Sequence, residues 1–536
     1  MTPTLGGAKA PTEFLTMNSV SKHRNLLFLA ASVAVLSACG AEEIVSPGTR
    51  GDINITNNTP APPPPPPPPA GPTLVTPAGG CPTIDNLVGL RDAGTVTGPT
   101  GEYRNCELPS RFTKSSRLPK IDGLVYSLGG RVDVGEDLGP SGGSGVTLTI
   151  DPGVVVFGAT GVSWLAVNRG NKINATGTAT APIIFTSRDN VLGLASDESQ
   201  GQWGGIVLLG RAPLTDCVVP NAAPGSADCF RDTEGAAEPA YGGGATANDN
   251  SGTMKYVQIR YSGYVLSGNN ELQALTTVGV GSGTTLEYIQ SHNSSDDGVE
   301  FFGGTQNVKY MVVTGADDDT VDLDTGYRGL IQYLIGVQKT AGNPDSMIEL
   351  DSTNSNENQT PRTYMRIANF TMVHKNAAAG NSSAWRYRGG ADVSLVNGVL
   401  TTPISCLRLD GANMITTDEA IQKVGAPEFR SVAMQCGTRP FRGSNGLTDD
   451  QVAATFNVEG RNNTATLTAT LSNVFVNGAN EAAVTATDPA TVNEGFETTD
   501  YVGAVKDAND TWYAGWTCNS VTANFGSTSK ACTTIP

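Results

Sequence analysis

Histidine is almost missing, with three in 536 residues. No Cys-x-x-Cys or Cys/His spacing appears, so structural zinc sites and histidine-based nucleophile sets lack their parts. Aromatic residues make up only 6% of the chain. Basic residues are also scarce: 34 Lys and Arg stand against 51 Asp and Glu, a formal charge of −17. That balance excludes a nucleic-acid partner, which needs a basic face, and favours neutral, cationic or metal-bridged ligands. The apolar run "LLFLAASVAVLSA" (Leu26 to Ala38) falls short of the ~20 residues a membrane-spanning helix requires.

Glycine, by contrast, is plentiful at 64 residues. With Val, Thr, Asn and Asp beside it, the composition suits short strands joined by tight turns rather than helices. Length alone suggests about three domains, but an internal repeat changes that count. "LEYIQSHNSSDDGVEFFGG" (Leu286 to Gly304) recurs as "VKYMVVTGADDDTVDLDTG" (Val308 to Gly326), 22 residues later. Tyr288 matches Tyr310, Asp296 and Asp297 match Asp318 and Asp319, and Glu300 matches Asp322. Strand and turn alternating at that period predict an all-β fold: a right-handed, single-stranded parallel β-helix with coils of about 22 residues. A β-sandwich would not explain near-identical consecutive copies.

The N-terminus reads as an address. Lys22, His23 and Arg24 precede the apolar run, which ends "LSAC" at Cys39; Met17 suits a start better than Met1 because it brings these basic residues forward. The segment resembles the lipobox of bacterial lipoproteins, which implies lipidation of Cys39 and, with Gly40 next, the outer membrane. A disordered tether follows to residue 79, with a stiff rod of about 25 Å at Pro62–Pro69. Apart from Cys39, eight cysteines are left. An even number in an exported chain points to disulfides, and neighbours pair most simply as Cys81–Cys106, Cys217–Cys229, Cys406–Cys436 and Cys518–Cys532.

The motifs "IDPGVVVFG", "APIIFTSRDN", "GQWGGIVLLGRAPL", "YGGGATANDNSGTMKYVQIRYSG", "SSDDGVEFFGG" and "DYVGAVKDANDTWYAGWT" together resemble a family of bacterial envelope lipoproteins. Those are parallel β-helices of the pectin lyase-like kind, often met beside TonB-dependent outer-membrane receptors. The resemblance covers about residues 140–518 and implies a fold and a setting; the family brings no settled activity. The expected organisation is a leader (1–38), a lipidated Pro-rich tether (39–79), an N-terminal cap (80–144), the β-helix body (145–440) and irregular coils with a cap (441–536).

Stacking the copies gives an outward column Glu300, Asp322, Glu349, Arg386, Arg408, and beside it Phe302, Asp324, Asp351, Arg388, Asp410. Carboxylates about 5 Å apart repel by roughly 1 kcal/mol in water and about 3 at an effective dielectric of 20. Relief comes from protonation, from Arg386 and Arg388, or from calcium at Asp322, Asp324, Glu349 and Asp351. The "SSDDG" turns need no function, because Asp bonds its own backbone and Gly takes positive φ. A similar step of Asp residues nonetheless occurs in β-helical polygalacturonases. That makes Asp297, Asp318 and Asp319 the catalytic candidates of a glycoside hydrolase, and Arg388 or Lys309 the base of a polysaccharide lyase. "GPSGG" (Gly139 to Gly143) and "VGVGSGTT" (Val278 to Thr285) lack the helix that nucleophile-elbow or phosphate chemistry needs. Trp385 is expected inside, Trp512 and Trp516 over the solenoid's end. The expected role is a lipid-anchored outer-membrane binding or accessory protein for a TonB-dependent receptor or an extracellular glycan; the alternative is a lyase or hydrolase using Asp residues of 296–324.

Overall fold

Each coil alternates two kinds of surface, and the corner between them explains most of the architecture. The computed structural model describes residues 74–84, 89–267, 270–352, 357–378 and 383–536; Cys39, the leader and the proline tract lie outside them. Two long parallel sheets run the length of the body. One, here called the flat sheet, stacks short strands such as Leu275–Val278, Val299–Phe302, Val321–Asp324, Ile348–Leu350, Ser383–Tyr387, Ser405–Asp410 and Phe441–Ser444. The other begins as separate ladders. Thr147–Ile150 and Lys172–Thr176 form one, Val155–Gly158 and Ile183–Ser187 the other, and both join onto Gly252–Arg260.

From Gly252 onward the two ladders fuse into single long strands that bend at one residue. That residue is Tyr256, Tyr288, Tyr310, Tyr333, Asn369, Asn397 and Ser431 in successive coils, with φ between 50° and 64°. Left-handed backbone costs an L-residue about 1–2 kcal/mol, so something must hold it. The tyrosine rings stack at 4.4, 4.4 and 4.6 Å, and a stacked aromatic pair contributes about 0.5–1.5 kcal/mol beyond its burial. Asn tolerates this conformation because its short polar side chain bonds locally.

Inside, apolar side chains from both sheets form one continuous core from Cys106 to Phe456. In the flat sheet Val299, Phe301, Val321, Leu323, Ile348, Leu350, Trp385 and Tyr387 point inward, and the residues between them point out. Trp385 is fully buried there, as its place in the pattern predicts. Trp203 is buried as well, its indole N–H donating to the Arg260 carbonyl at 2.8 Å.

Several expectations need correction. Parallel coils already begin at Gly101–Glu107, which pairs with Leu124–Leu128, inside the stretch 80–144 expected as a cap. The edge is closed instead by Arg91–Gly98, folded antiparallel onto Gly101–Glu107. The 22-residue spacing links Leu286 to Val308, but Ile331 to Ile367 spans 36 residues because turns carry insertions. At the far end the helix Asp449–Phe456, held by a Thr448–Gln451 capping box, lays Phe456 on Phe429 and Phe441. Trp512 and Trp516 therefore do not cap the end: Trp516 packs edge-on against Tyr256 and Tyr288, and Trp512 lies tilted against Tyr310, midway along the body.

They belong to a strap, residues 464–536, that winds back along the outside of the bent sheet. Amide side chains grip its backbone: Gln332 with both N–H and C=O of Glu497, Gln290 with both of Cys518, and Asn397 with both of Thr487. The strap reaches the first coils, where Tyr103 donates to the Pro536 carbonyl at 2.9 Å. All four expected disulfides form, Cys81–Cys106, Cys217–Cys229, Cys406–Cys436 and Cys518–Cys532.

Because the strap shares an apolar cluster with the sheet, Phe475 and Trp516 together with Val312, Ile335 and Val337, its loss should be felt throughout the body. Trp516→Ala should destabilise by about 3–5 kcal/mol. Gln332→Ala, which leaves the part-buried peptide unit of Glu497 without its side-chain partner, should cost about 1 kcal/mol. Denaturant unfolding measures both; a Gln332→Ala protein as stable as wild type would show that the strap is not held through its backbone.

Candidate functional site

On the outer face of the flat sheet the coils place like charges on like. Pairing sets Thr276 beside Glu300, Glu300 beside Asp322, Asp322 beside Glu349, Glu349 beside Arg386, and Arg386 beside Arg408. Phe302 neighbours Asp324 in the second column. Upstream, this face is covered: the insertion between Gly205–Leu209 and Gly252–Arg260, closed by Cys217–Cys229, packs Leu214, Cys229 and Ala240 on Val207, Val278 and Phe302. Arg231 from that insertion lies over the Phe302 ring at 3.9 Å. The insertion's Arg231 also acts on Glu300, the first carboxylate of the column.

The turns feeding these strands supply more of them. Asp297 accepts the backbone N–H of Asp319 at 2.9 Å, and Asp319 accepts that of Ser346 at 2.6 Å. This is a staircase in which each buried aspartate pins the turn of the next coil. Oxygens of Asp297, Glu300 and Asp322 lie within 4.8 Å of one another, as do those of Asp319, Asp322 and Glu349. Asp296 and Asp318 join through Asp297, and Asp345 through Asp318 and Asp319.

Crowding and burial shape their protonation. Burial first, then the neighbouring carboxylates, hold Asp297, Glu300, Asp319 and Asp322 well above the usual carboxylate range. Asp296, Asp318 and Asp324 are pushed up to about 7 for the same reasons. Asp351 is raised only to about 6, because Arg388 opposes the effect of burial.

The two ends of the cluster are relieved differently. Downstream, Arg388 forms ion pairs with Glu349 at 2.9 Å and Asp351 at 2.8 Å, and Arg386 with Glu349 at 3.1 Å. Upstream, Glu300 is 7% exposed and its Oε2 has no hydrogen-bond partner; Oδ1 of Asp322 has none either. A buried carboxylate oxygen without a donor is costly. Three oxygens spanning 4.8 Å match the diameter of a calcium shell, whose ligands sit about 2.4 Å from the ion. An all-oxygen donor set suits a hard cation.

The expected calcium set is thereby corrected. Asp322 and Glu349 come together, with Asp319. Asp324 instead accepts its neighbour Thr325 N–H at 2.5 Å, and Asp351 is engaged by Arg388 and by the Ser352 N–H at 2.7 Å. Of the catalytic candidates, Asp297, Asp318 and Asp319 do converge, but Arg388 is spent on Glu349 and Asp351, and Lys309 bonds Glu497 of the strap at 2.6 Å. Sequence reading missed His374, buried beside Asp345 and held neutral by burial, its pKa lowered to about 4. A long turn of variable length separates it from the acidic motif, so no spacing pointed to it.

Residues 141–517 match the family model described as a pectate-lyase like beta helix domain, and the chain belongs to that family. Comparisons with curated proteins and with solved structures give no match.

The raised carboxyl groups fix the sign of a pH effect. Their folded-state pKa values exceed the unfolded ones, so their contribution is full below about pH 4 and is lost as pH rises through about 7. In chelator, the melting temperature should fall across that window. Millimolar calcium should restore it at pH 8 and do nothing at pH 4, and Glu300→Gln should flatten the fall. A melting temperature independent of pH in chelator would refute the crowding.

Proposed function

We propose that this chain is a lipid-anchored cell-envelope protein that binds an extracellular glycan through a divalent cation held at Asp297, Glu300 and Asp322. One observation carries this reading: the buried, unpartnered oxygen of Glu300 beside two further carboxylates. Bound there, calcium would supply coordination positions for sugar hydroxyl or carboxylate oxygens. The chain's own part is to fix the donors. Asp297 is held by the Asp319 N–H, Glu349 is clamped by Arg386 and Arg388, and the wall at Phe302 limits the approach to one side. The family's β-helix domain accords with a polysaccharide ligand.

Binding is favoured over turnover because the candidate groups are tied. Asp297 and Asp319 serve as turn pegs, and neither Arg388 nor Lys309 is placed as a base. The lyase or hydrolase reading stays testable in the same assay. The lipobox at Cys39 and the four disulfides support export to an oxidising compartment. A TonB-dependent receptor is the partner that the sequence resemblance suggests, and co-purification from membranes tests it.

Purified protein should retain glycans on an affinity gel in calcium and release them in chelator, with no new reducing ends or unsaturated products. Asp322→Asn should abolish the calcium dependence. Turnover of any glycan would replace the binding role with the enzymatic one. Labelled palmitate should enter the wild type and not Cys39→Ala; equal labelling would remove the anchor.

A further inference from the structure

The outer column of the flat sheet reverses sign within one coil. Beyond Glu349 it carries Arg386, Arg408 and Arg442 on successive coils, in register. Arg439, from the turn before the last strand, brings its charge to the same end. Guanidiniums stacked about 5 Å apart repel as the carboxylates do, by about 3 kcal/mol at an effective dielectric of 20. Arg386 pairs with Glu349 at 3.1 Å. Asp410 is shared by Arg386 at 3.3 Å and Arg408 at 2.8 Å, and Asp449 is held in a fork by Arg439 at 2.7 and 2.8 Å. Arg442 faces both acids but also the guanidiniums of Arg408 and Arg439; burial and these two cations lower its pKa. Positive charge is therefore crowded at this end as negative charge is at the other.

We propose that the Arg408–Arg442 end of the flat sheet is an anion subsite and that the glycan is a polyanion bearing carboxylate, sulfate or phosphate groups. The polymer identity rests on the glycan-binding reading above; the anion subsite itself does not. A guanidinium meets a carboxylate or a tetrahedral oxyanion with paired, charge-assisted hydrogen bonds, and two stacked ones fix its orientation. Asp322 and Arg408 stand three rungs apart on one straight column, about 14 Å. A chain lying along the column would place one group on the cation and another on the arginines, crossing Glu349 where Arg386 and Arg388 already neutralise it.

The full protein is titrated in calcium with sulfated, phosphorylated and uncharged dextran and with a polyuronate, and its melting temperature is read in sulfate against chloride at equal ionic strength. At least one anionic polymer should bind tenfold or more above uncharged dextran, with affinity falling as salt rises. The preferred polymer identifies the anionic group. Arg408→Gln with Arg442→Gln should remove that preference and leave the calcium-induced rise in melting temperature unchanged, while Arg442→Lys should keep part of it. Equal binding of charged and uncharged polymers, or a preference that survives the double substitution, would overturn the subsite. If no polymer binds, the glycan reading fails alone: a sulfate-specific rise in melting temperature, lost in the double variant, would still establish the anion subsite, and its absence would end it.

Discussion

The left-handed bend at one residue per coil is the constraint from which the rest of the molecule follows. At Tyr256, Tyr288, Tyr310 and Tyr333 it turns the strand within a single residue, where earlier coils need a loop, as over 177–182 between Lys172–Thr176 and Ile183–Ser187. A corner this sharp repeats only if each bent residue rests on the next, and the stacked rings supply that support. Gln and Asn side chains lie on the outside of the sheet at and on either side of the bend: Gln332 just before it, Asn397 at it and Gln290 just after it. The strap lies over them, with each amide satisfying a peptide unit that would otherwise compete for water. Side chains that set the corner and side chains that hold the strap are thus neighbours on the same strands.

The same regular stacking forces the charge ladder. Coils that repeat with fixed register cannot stagger their outward residues, so Glu300, Asp322 and Glu349 must face one another. The chain answers the repulsion in three ways along one column. Burial and protonation act at Asp297 and Glu300, arginine clamps at Glu349 and Asp351, and a shared carboxylate among the arginines at Asp410. Glu349 and Asp351 are matched by ion pairs with Arg386 and Arg388, whereas Oε2 of Glu300 has neither a hydrogen bond nor an ion pair among the described residues.

Much of this was legible in sequence, for identifiable reasons. The period-two alternation of "VEF", "VDL" and "IEL" set the inward and outward faces, and the register confirms the column Glu300, Asp322, Glu349, Arg386, Arg408 despite an insertion after Asp351. Local pairing of cysteines held because each pair closes a turn or joins adjacent coils. What failed was everything set by chain segments distant in sequence. The strap was read as terminal coils, because its partners are amide side chains scattered from Gln258 to Asn397, which carry no motif. Of the expected calcium set, Asp322 and Glu349 share a carboxylate group with Asp319, but spacing alone cannot say that Arg388 takes Asp351 or that Asp297 lies beside Glu300. Tyr288 and Tyr310 were visible as a repeat, but nothing in their identity announced a left-handed corner, a conformation usually given to Gly or Asn.

Structural and functional roles of the acidic turns therefore need not compete. Asp297 uses one oxygen to hold the turn of the next coil and shares the carboxylate cluster with the same side chain. A residue in both roles ties ligand binding to the integrity of two coils. Relief of repulsion by a cation would then tighten the stack on either side of Glu300. The carboxylates of this coil make no ion pair like those of Glu349 and Asp351 with Arg388 among the described residues. In a solenoid, where each coil is stable only through its neighbours, relief of repulsion at Glu300 would pass to the coils on either side.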